Sequence, residues 1–410
     1  MKIIALSQVY YPDTASVAQH LTDLLEELIK NGHDVSIITS RNNYENPTIK
    51  YKKIETHNGV TIERLHNTGF GKQYILGRLI DYISFNIIIT IKMLFRSSNN
   101  YEVVLGLTTP PLLSFIGIII SKLQKKKFIY WTMDLQPELS IVAGYVKRGS
   151  ISAILLQRIG DFIFNRSDLI ITLDRYMEKH IQERIEKTKS IAIIPVWPVM
   201  NRIFNGPRDS NPFRKDNGFG EKIVIMYSGN HSVMHPILTL LEAAILLKDD
   251  LRFLFVHIGS GVRLKEVKEY KSRYKLNNIT ILPYQPRELI HLSLGASDFQ
   301  VVTLGNECVG YTHPNKVYGA MFIGKPIIYI GPNESHISDI LDKCPGNISI
   351  RHGESNKLAD LLSNRNYIKE SYRNEVGLNN QNYANNHFSP ILLKAKMVNV
   401  INNLVEQDNN

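Results

Sequence analysis

What the chain has little of narrows it first. It holds two cysteines in 410 residues, Cys308 and Cys344, and no Cys/His cluster at metal-ligand spacing. That argues against a disulfide framework and fits a reducing cytoplasm. No Asp-x-Asp pair occurs anywhere, so no carboxylate-held catalytic metal is signalled. There is no P-loop lysine motif, no G-x-S-x-G and no G-x-G-x-x-G after the first strand, which counts against NAD and ATP chemistry. Long apolar runs are also missing. The two most apolar regions, Ile83–Phe95 and Pro111–Leu123, are interrupted or bounded by Asn86, Lys92, Arg96 and Lys122. Both fall short of the roughly 20 apolar residues a membrane span needs. The opening "MKIIALSQVYYP" is one strand's length of apolar sequence, too short for a signal peptide.

What is present reads as a globular protein of two domains, 43% hydrophobic and 21% charged. The formal charge of +10 is uneven: Phe70 to Ser150 carries ten Lys/Arg against four acids. That segment interleaves its cations with Phe, Tyr, Leu and Ile. It reads either as a solvated basic face or as a patch for anionic lipid. No nucleic-acid motif accompanies the charge, and no nucleic-acid partner is expected.

Apolar strands alternate with amphipathic segments along the chain. Lys2–Leu6, Val35–Thr39, Glu102–Leu107, Phe128–Thr132 and Asp168–Leu173 read as strands, with helices at Ser16–Lys30, after Pro110-Pro111 and from Ser150. "HNGV" at 57–60 is a hairpin turn. Trp197 to Glu221 has the Pro, Gly, Asn and charge content of a linker. The alternation then restarts at Ile223 and runs to Ile330. Two βαβ series predict an α/β chain with two Rossmann-like parallel-sheet domains, at 1–200 and 201–385, and a terminal helix in 386–410 packing back towards the first. Ligands of such sheets bind beyond the carboxyl ends of the strands.

Five strand-to-helix loops are therefore the candidates. In "MYSGNHSVMHP" (226–236), Gly229 permits close backbone approach, and Asn230, His231 and His235 can hydrogen-bond a phosphate or sugar; an ordinary βα loop is the alternative. "HIGSGVR" repeats the pattern with Gly259 and Gly261, a weak signal by itself. In "THPNKVYGAM", Pro314 fixes a turn and Asn315 stands at a capping position. Lys316 follows in the first helical turn, where an acid is normally preferred. Such a lysine suits an anion, above all a diphosphate gaining charge as it departs; the alternative is a solvent-facing side chain. "YYPDTASVAQHL" offers Tyr11, Thr14 and Ser16, the latter two as hydroxyls and caps. "YWTMDLQPEL" ends a strand in Asp134, with Glu138 four residues on; an N-cap is the alternative for Asp134.

With these residues in place, the chain resembles bacterial retaining GT-B glycosyltransferases of the glycogen-synthase/mannosyltransferase superfamily. More narrowly, it is similar to the L-fucosamine-type transferases of O-antigen and colanic-acid assembly. The likeness runs end to end and rests on the Tyr10–Thr14 loop, Asp134-Leu135-Gln136-Pro137-Glu138, "YSGNH" and "HPNKVYGAM…GKP", in that order. It departs from the superfamily where an E-x7-E pair is expected: Tyr311 and Gly319 stand there, with Glu307 nearby at the wrong spacing. Asn230 and His235 stand where an Arg and a Lys are usual.

The resemblance implies two domains facing a cleft, no metal or other cofactor, and a nucleotide-diphospho sugar donor, UDP-linked. It implies donor contacts from Gly229, Asn230, His231, His235, Gly259, Gly261, His313, Asn315, Val317 and Tyr318. Lys316, Asp134 and Glu307 would be catalytic, with Lys316 and His235 as the cations near the diphosphate. Tyr11, Thr14, Ser16 and Glu138 would meet a saccharide or polyprenyl-diphosphate-linked acceptor. A cytoplasmic enzyme on the inner membrane face would use the basic segment against anionic lipid. A GT-B sugar-nucleotide 2-epimerase and a non-catalytic sugar-nucleotide or membrane-binding protein remain the alternatives.

Overall fold

The computed structural model describes all residues except 44–45, 72–74, 111, 186–188, 201, 205 and 407–410, and except the side chains of 75, 405 and 406. Lys72 of the basic segment, Pro111 before the second apolar run, position 201 of the expected boundary and the last four residues of the terminal segment lie outside the described residues.

The chain divides into a unit of residues 1–195 with 391–410 and a unit of residues 196–390. In the first, the order is β1 (Lys2–Leu6), α1 (Ser16–Lys30), β2 (Asp34–Ser40), β3 (Ile54–His57), β4 (Val60–Leu65), α2 (Ile75–Leu94), β5 (Val103–Leu107) and α3 (Leu113–Leu123). Then come β6 (Lys127–Trp131), α4 (Glu138–Val142), α5 (Ile151–Arg166), β7 (Leu169–Thr172), α6 (Arg175–Gln182) and β8 (Ile191–Ile193). The described strands form one sheet in the order β3-β4-β2-β1-β5-β6-β7-β8, parallel except for the β3–β4 hairpin. The hairpin turns at Asn58 and Gly59, both at positive φ, as "HNGV" predicts. The crossover from β1 to β2 runs one way along the sheet, and those carried by α2, α3 and α5 run the other. Right-handed crossovers therefore put these three helices on the sheet face opposite α1.

The second unit contains α7 (Pro212–Asp216), β9 (Ile223–Ser228), α8 (Leu238–Leu246), β10 (Phe253–Ile258), α9 (Leu264–Arg273), β11 (Ile279–Leu282), α10 (Ile290–Gly295) and β12 (Phe299–Thr303). It continues with α11 (Lys316–Phe322), β13 (Ile327–Ile330), α12 (His336–Leu341), β14 (Ile348–Ile350), α13 (Ser355–Ser363), α14 (Arg365–Ile368) and α15 (Glu370–His387). Its sheet is parallel, in the order β11-β10-β9-β12-β13-β14. Side-chain alternation splits β9 between two apolar layers: Ile223, Ile225 and Tyr227 join one, Val224 and Met226 the other. The strand order reverses between β9 and β12, so the loops leaving those two strands flank the topological switch point.

One sequence expectation changes here. The segment Trp197–Glu221 is not a loose linker. Trp197 and Arg214 are buried, and α7 folds within it. Arg208, Arg214 and Arg373 converge on the buried Asp298 at 2.9, 3.3 and 3.3 Å, and Asp298 also accepts from the Val224 N–H at 2.8 Å. Arg-rich, Asn-rich sequence looks like linker because its polar groups find partners only through tertiary contact. The terminal helix, α16 (Pro390–Glu406), is assigned to the first unit, where Lys394 pairs with Glu27 at 3.1 Å.

Candidate functional site

Glycine geometry shapes the loop ends of the second unit. Gly229 leaves β9 at φ 135°, Gly259 leaves β10 at φ 125° and Gly261 follows at 130°, a region side chains disfavour. A Cβ at Gly259 would lie 2.2 Å from the Gly229 carbonyl oxygen. One at Gly261 would lie 2.4 Å from Asn230 Oδ1 and 2.6 Å from the His231 carbonyl oxygen. The two loops thus pack backbone to backbone. The His231 N–H donates to the Ser260 carbonyl at 2.7 Å, and the Arg263 N–H donates to the His231 carbonyl at 2.9 Å. A third loop joins them, since the Gly305 N–H donates to the Met234 carbonyl at 2.9 Å.

Lys316 reaches this junction from the start of α11. Its Nζ donates to the Tyr227 hydroxyl at 2.6 Å and sits 3.9 Å from the ring centroid. A Cβ at Gly229 would be only 3.5 Å from Lys316 Cε. Tyr227 in turn donates to the Asn230 carbonyl at 2.7 Å. The ammonium therefore rests on a buried phenol above the glycine loop, with no carboxylate partner among the described residues. Burial pushes its pKa down to about 7, because a half-buried cation without a counter-ion is poorly solvated. An incoming anion would supply what the site lacks.

The histidines divide by role, and two expectations are corrected. His231 is fully buried, its Nε2 3.2 Å from His257 Nδ1, and burial together with the Lys316 charge lowers it to about 4. His257 is also buried and lowered to about 3. His231 therefore supports the loop from beneath instead of facing a ligand. His235 donates from Nδ1 to the Thr303 carbonyl at 2.8 Å. Burial, then the Lys316 charge, lowers its pKa well below the ordinary range. His235 is therefore a neutral acceptor through Nε2, not a second cation.

Other expected donor groups are built into α11 and its approach. His313 is buried, with Nε2 2.6 Å from the Tyr318 hydroxyl and its ring stacked on His336 at 3.8 Å. The side chains of Val317 and Tyr318 are buried, and their N–H groups donate to the Pro314 and Asn315 carbonyls at 3.2 Å each. Asn315 occupies the N-cap position, but its side chain makes no capping hydrogen bond. Gly319 faces apolar neighbours: a Cβ there would sit 3.4 Å from Leu294 and from Met200. A glutamate at that position would meet hydrocarbon. Glu307 is exposed on a 3₁₀ turn after β12.

In the first unit, Asp134 stands half-buried past the end of β6. Its charge, after burial, helps push the Tyr130 phenol above its ordinary range, while Arg184 opposes. Glu138 is spoken for structurally: Arg184 lies 3.4 Å from it while also bonding Asp161 at 2.6 Å and the Gln136 carbonyl at 3.2 Å. Tyr11 is exposed and stacked on His57 at 3.6 Å, and its carbonyl accepts from the buried Arg64 at 2.7 Å. Thr14 and Ser16 are exposed, but neither caps α1: Ala15 holds the N-cap position, and Ser16 Oγ lies 3.3 Å from His20 Nδ1. Sequence reasoning missed Tyr227, the seat of Lys316. Its signal was an aromatic hydroxyl at the last inward position of a strand ending in a glycine loop.

No family model matches the sequence. The "Probable glycosyltransferase WbjE" of Pseudomonas aeruginosa is 27% identical over 282 residues, covering 67% of this chain and 70% of that protein. The "Putative colanic acid biosynthesis glycosyl transferase WcaI" of Escherichia coli is 21% identical over 361 residues, covering 84% and 87%. Among solved structures, sucrose-phosphate synthase from Thermosynechococcus elongatus superposes with a TM-score of 0.77 at 13% identity over 99% of this chain and 100% of that one. Anabaena HepE in complex with UDP and glucose gives 0.70 at 15% identity, over 98% and 100%. The chain thus has the GT-B fold of these solved structures, and over most of its length it is similar to proteins named as glycosyltransferases.

Proposed function

We propose that the chain is a retaining, metal-independent transferase that moves a sugar from a nucleotide-diphospho sugar to a saccharide acceptor. UDP is the proposed nucleotide, and an N-acetylated hexosamine or deoxyhexosamine the proposed sugar. The acceptor is a polyprenyl-linked saccharide in surface-polysaccharide or glycan assembly, at the inner face of the cytoplasmic membrane. Support for the donor comes from HepE, which carries UDP in its solved structure, and for the setting from WcaI, named for colanic acid.

One observation carries the reading: the Lys316 ammonium, seated on Tyr227 at 2.6 Å above Gly229, has no carboxylate partner among the described residues, and burial lowers its pKa. A donor diphosphate against Gly229 and Asn230 would place its leaving oxygens at that ammonium. In transfer, the bond from the anomeric carbon to the phosphate oxygen breaks, and a bond to the acceptor hydroxyl forms on the same face. The hydroxyl proton passes to the departing phosphate. Lys316 stabilises the charge that gathers there, and neutral His235 Nε2 accepts from a donor hydroxyl. Asp134, Tyr11, Thr14 and Ser16 are assigned to the acceptor. With Tyr311 and Gly319 in place of two carboxylates, ribose and sugar hydroxyls must be met by neutral groups.

A thermal-shift screen of nucleotide sugars tests the donor half, since a ligand bound to the folded state raises Tm by mass action. Nucleotide release with and without acceptor tests transfer. A shift with a UDP-sugar and acceptor-dependent release, unchanged by excess chelator, is expected. Absence of any release across the panel would refute transfer, and acceptor-free interconversion of UDP-sugars would indicate an epimerase.

A further inference from the structure

The helix α2 is apolar on two opposite sides, and only one of them is covered. Phe85, Ile89 and Met93 are buried against the unit. On the other side Leu76, Ile80, Ile83, Ile87, Ile91 and Leu94 follow one another at intervals of three and four residues, a single stripe on a helix. Ile83, Ile87 and Ile91 are 50%, 54% and 52% exposed, and Phe95 just beyond the helix is 87% exposed. An apolar stripe of this length belongs against a core, a partner or lipid, yet this one is uncovered.

The bare face continues onto its neighbours. α3 packs against both α2 and α5, on the sheet face that the crossovers assign to all three. It adds exposed Ile119 and Leu123, and α5 adds Ile151, Ile154, Leu155 and Phe162. Single exposed apolar residues need no explanation, but a contiguous field across three helices does. Its charges have one sign. Lys125, Lys147, Arg148, Arg158 and Arg166 are exposed around it, and Arg78 lies over the Tyr145 ring at 5.4 Å. Among the described residues from 76 to 166, Glu102 is the one exposed acid; Asp81 is buried, and Asp134, Glu138 and Asp161 are half-buried.

We propose that this α2–α3–α5 face lies in the plane of an anionic lipid surface, with the isoleucine stripe sunk among the acyl chains and the basic rim at the head groups. No described helix is long and apolar enough to cross a membrane, so the helix lies on the bilayer. A second copy of the chain is disfavoured as the occupant, because face-to-face pairing would set two basic rims against each other with one exposed acid apiece. Anionic head groups complement the rim, and acyl chains complement the stripe. The inference extends the proposed membrane-linked acceptor by naming the contact surface, and donor binding does not depend on it.

The test is flotation of the full chain with vesicles of phosphatidylcholine mixed with phosphatidylglycerol, and with phosphatidylcholine alone. Wild type should float with the mixed vesicles, less so as salt rises, and retain some binding at high salt because burial of the stripe is not screened. The triple variant Ile83→Ser/Ile87→Ser/Ile91→Ser should lose about a hundredfold or more in partitioning at every salt concentration. A second variant, Phe95→Ser/Leu123→Ser, should weaken it in the same sense. Both should keep the donor-induced rise in Tm, which shows that the fold and the donor site survive. Wild-type flotation by both variants overturns the proposal, as does failure of the wild type to float. A wild-type dimer that becomes monomeric in the triple variant, without vesicle binding, overturns it in favour of self-association.

Discussion

If the Lys316 ammonium holds the donor diphosphate, donor affinity must fall as that ammonium loses its proton. Burial depresses its pKa to about 7 in the free protein. A bound diphosphate raises it again, because an opposite charge within contact favours the protonated form. Below pH 7 the site is charged before the donor arrives. Above pH 7 binding must also take up a proton, at about 1.4 kcal/mol per pH unit. At a pH of about 8.5 only about 3% of the free protein is protonated at this position, so the apparent Kd should be about 30-fold weaker than at a pH of about 6. A nucleotide-diphospho sugar has no group of its own titrating in that window, and His231, His235 and His257, all lowered by burial, stay neutral across it. Calorimetric titration of a UDP-sugar at several pH values, in buffers of different ionisation enthalpy, measures both the slope and the proton uptake. In Lys316→Arg the guanidinium stays charged, so whatever affinity remains should be flat with pH. A flat wild-type profile, or an equal slope in Lys316→Arg, would refute the role of this side chain.

The same depressed pKa is a statement about stability. Between pH 7 and 10.5 the unfolded chain binds more protons at this lysine than the folded one, so the free protein should gain stability as pH rises through that window. Lys316→Met should accordingly raise Tm by a few degrees at neutral pH, reduce that pH slope and abolish donor binding; a lower Tm would contradict the assigned burial. Gly259→Ala should erase the donor-induced thermal shift, since its Cβ would fall 2.2 Å from the Gly229 carbonyl oxygen; an unchanged shift would show that the two loops tolerate separation. Asp298→Asn leaves three arginines around one neutral amide, and denaturant unfolding should show a loss of about 3 kcal/mol or more.

The fold was legible because its signals are local. The restart of the apolar alternation at Ile223 and its end at Ile330 coincide with the start of β9 and the end of β13, and "HNGV" located the hairpin. Parallel order followed from alternation alone. What escaped depends on contacts distant in sequence. Arg208 and Arg214 look like solvated linker charges until Asp298, some 90 and 84 residues away, accepts from them. The candidate site was legible by position, since Gly229, Gly259 and Lys316 all fall on loops at strand ends. It was not legible by role. His231 and His235 look equivalent in "GNHSVMH", yet one lies beneath the loop against His257 and the other bonds the Thr303 carbonyl. The seat of Lys316 is a tyrosine 89 residues earlier, and Glu138 turned out to serve Arg184.

The most direct measurement of the central claim is acceptor-dependent nucleotide release by wild type and Lys316→Ala, with the donor that gives the largest thermal shift and both proteins shown to be folded. Removing one transition-state cation should slow release by about tenfold to a thousandfold. Turnover at the wild-type rate in Lys316→Ala would contradict the assignment of this junction to the departing diphosphate.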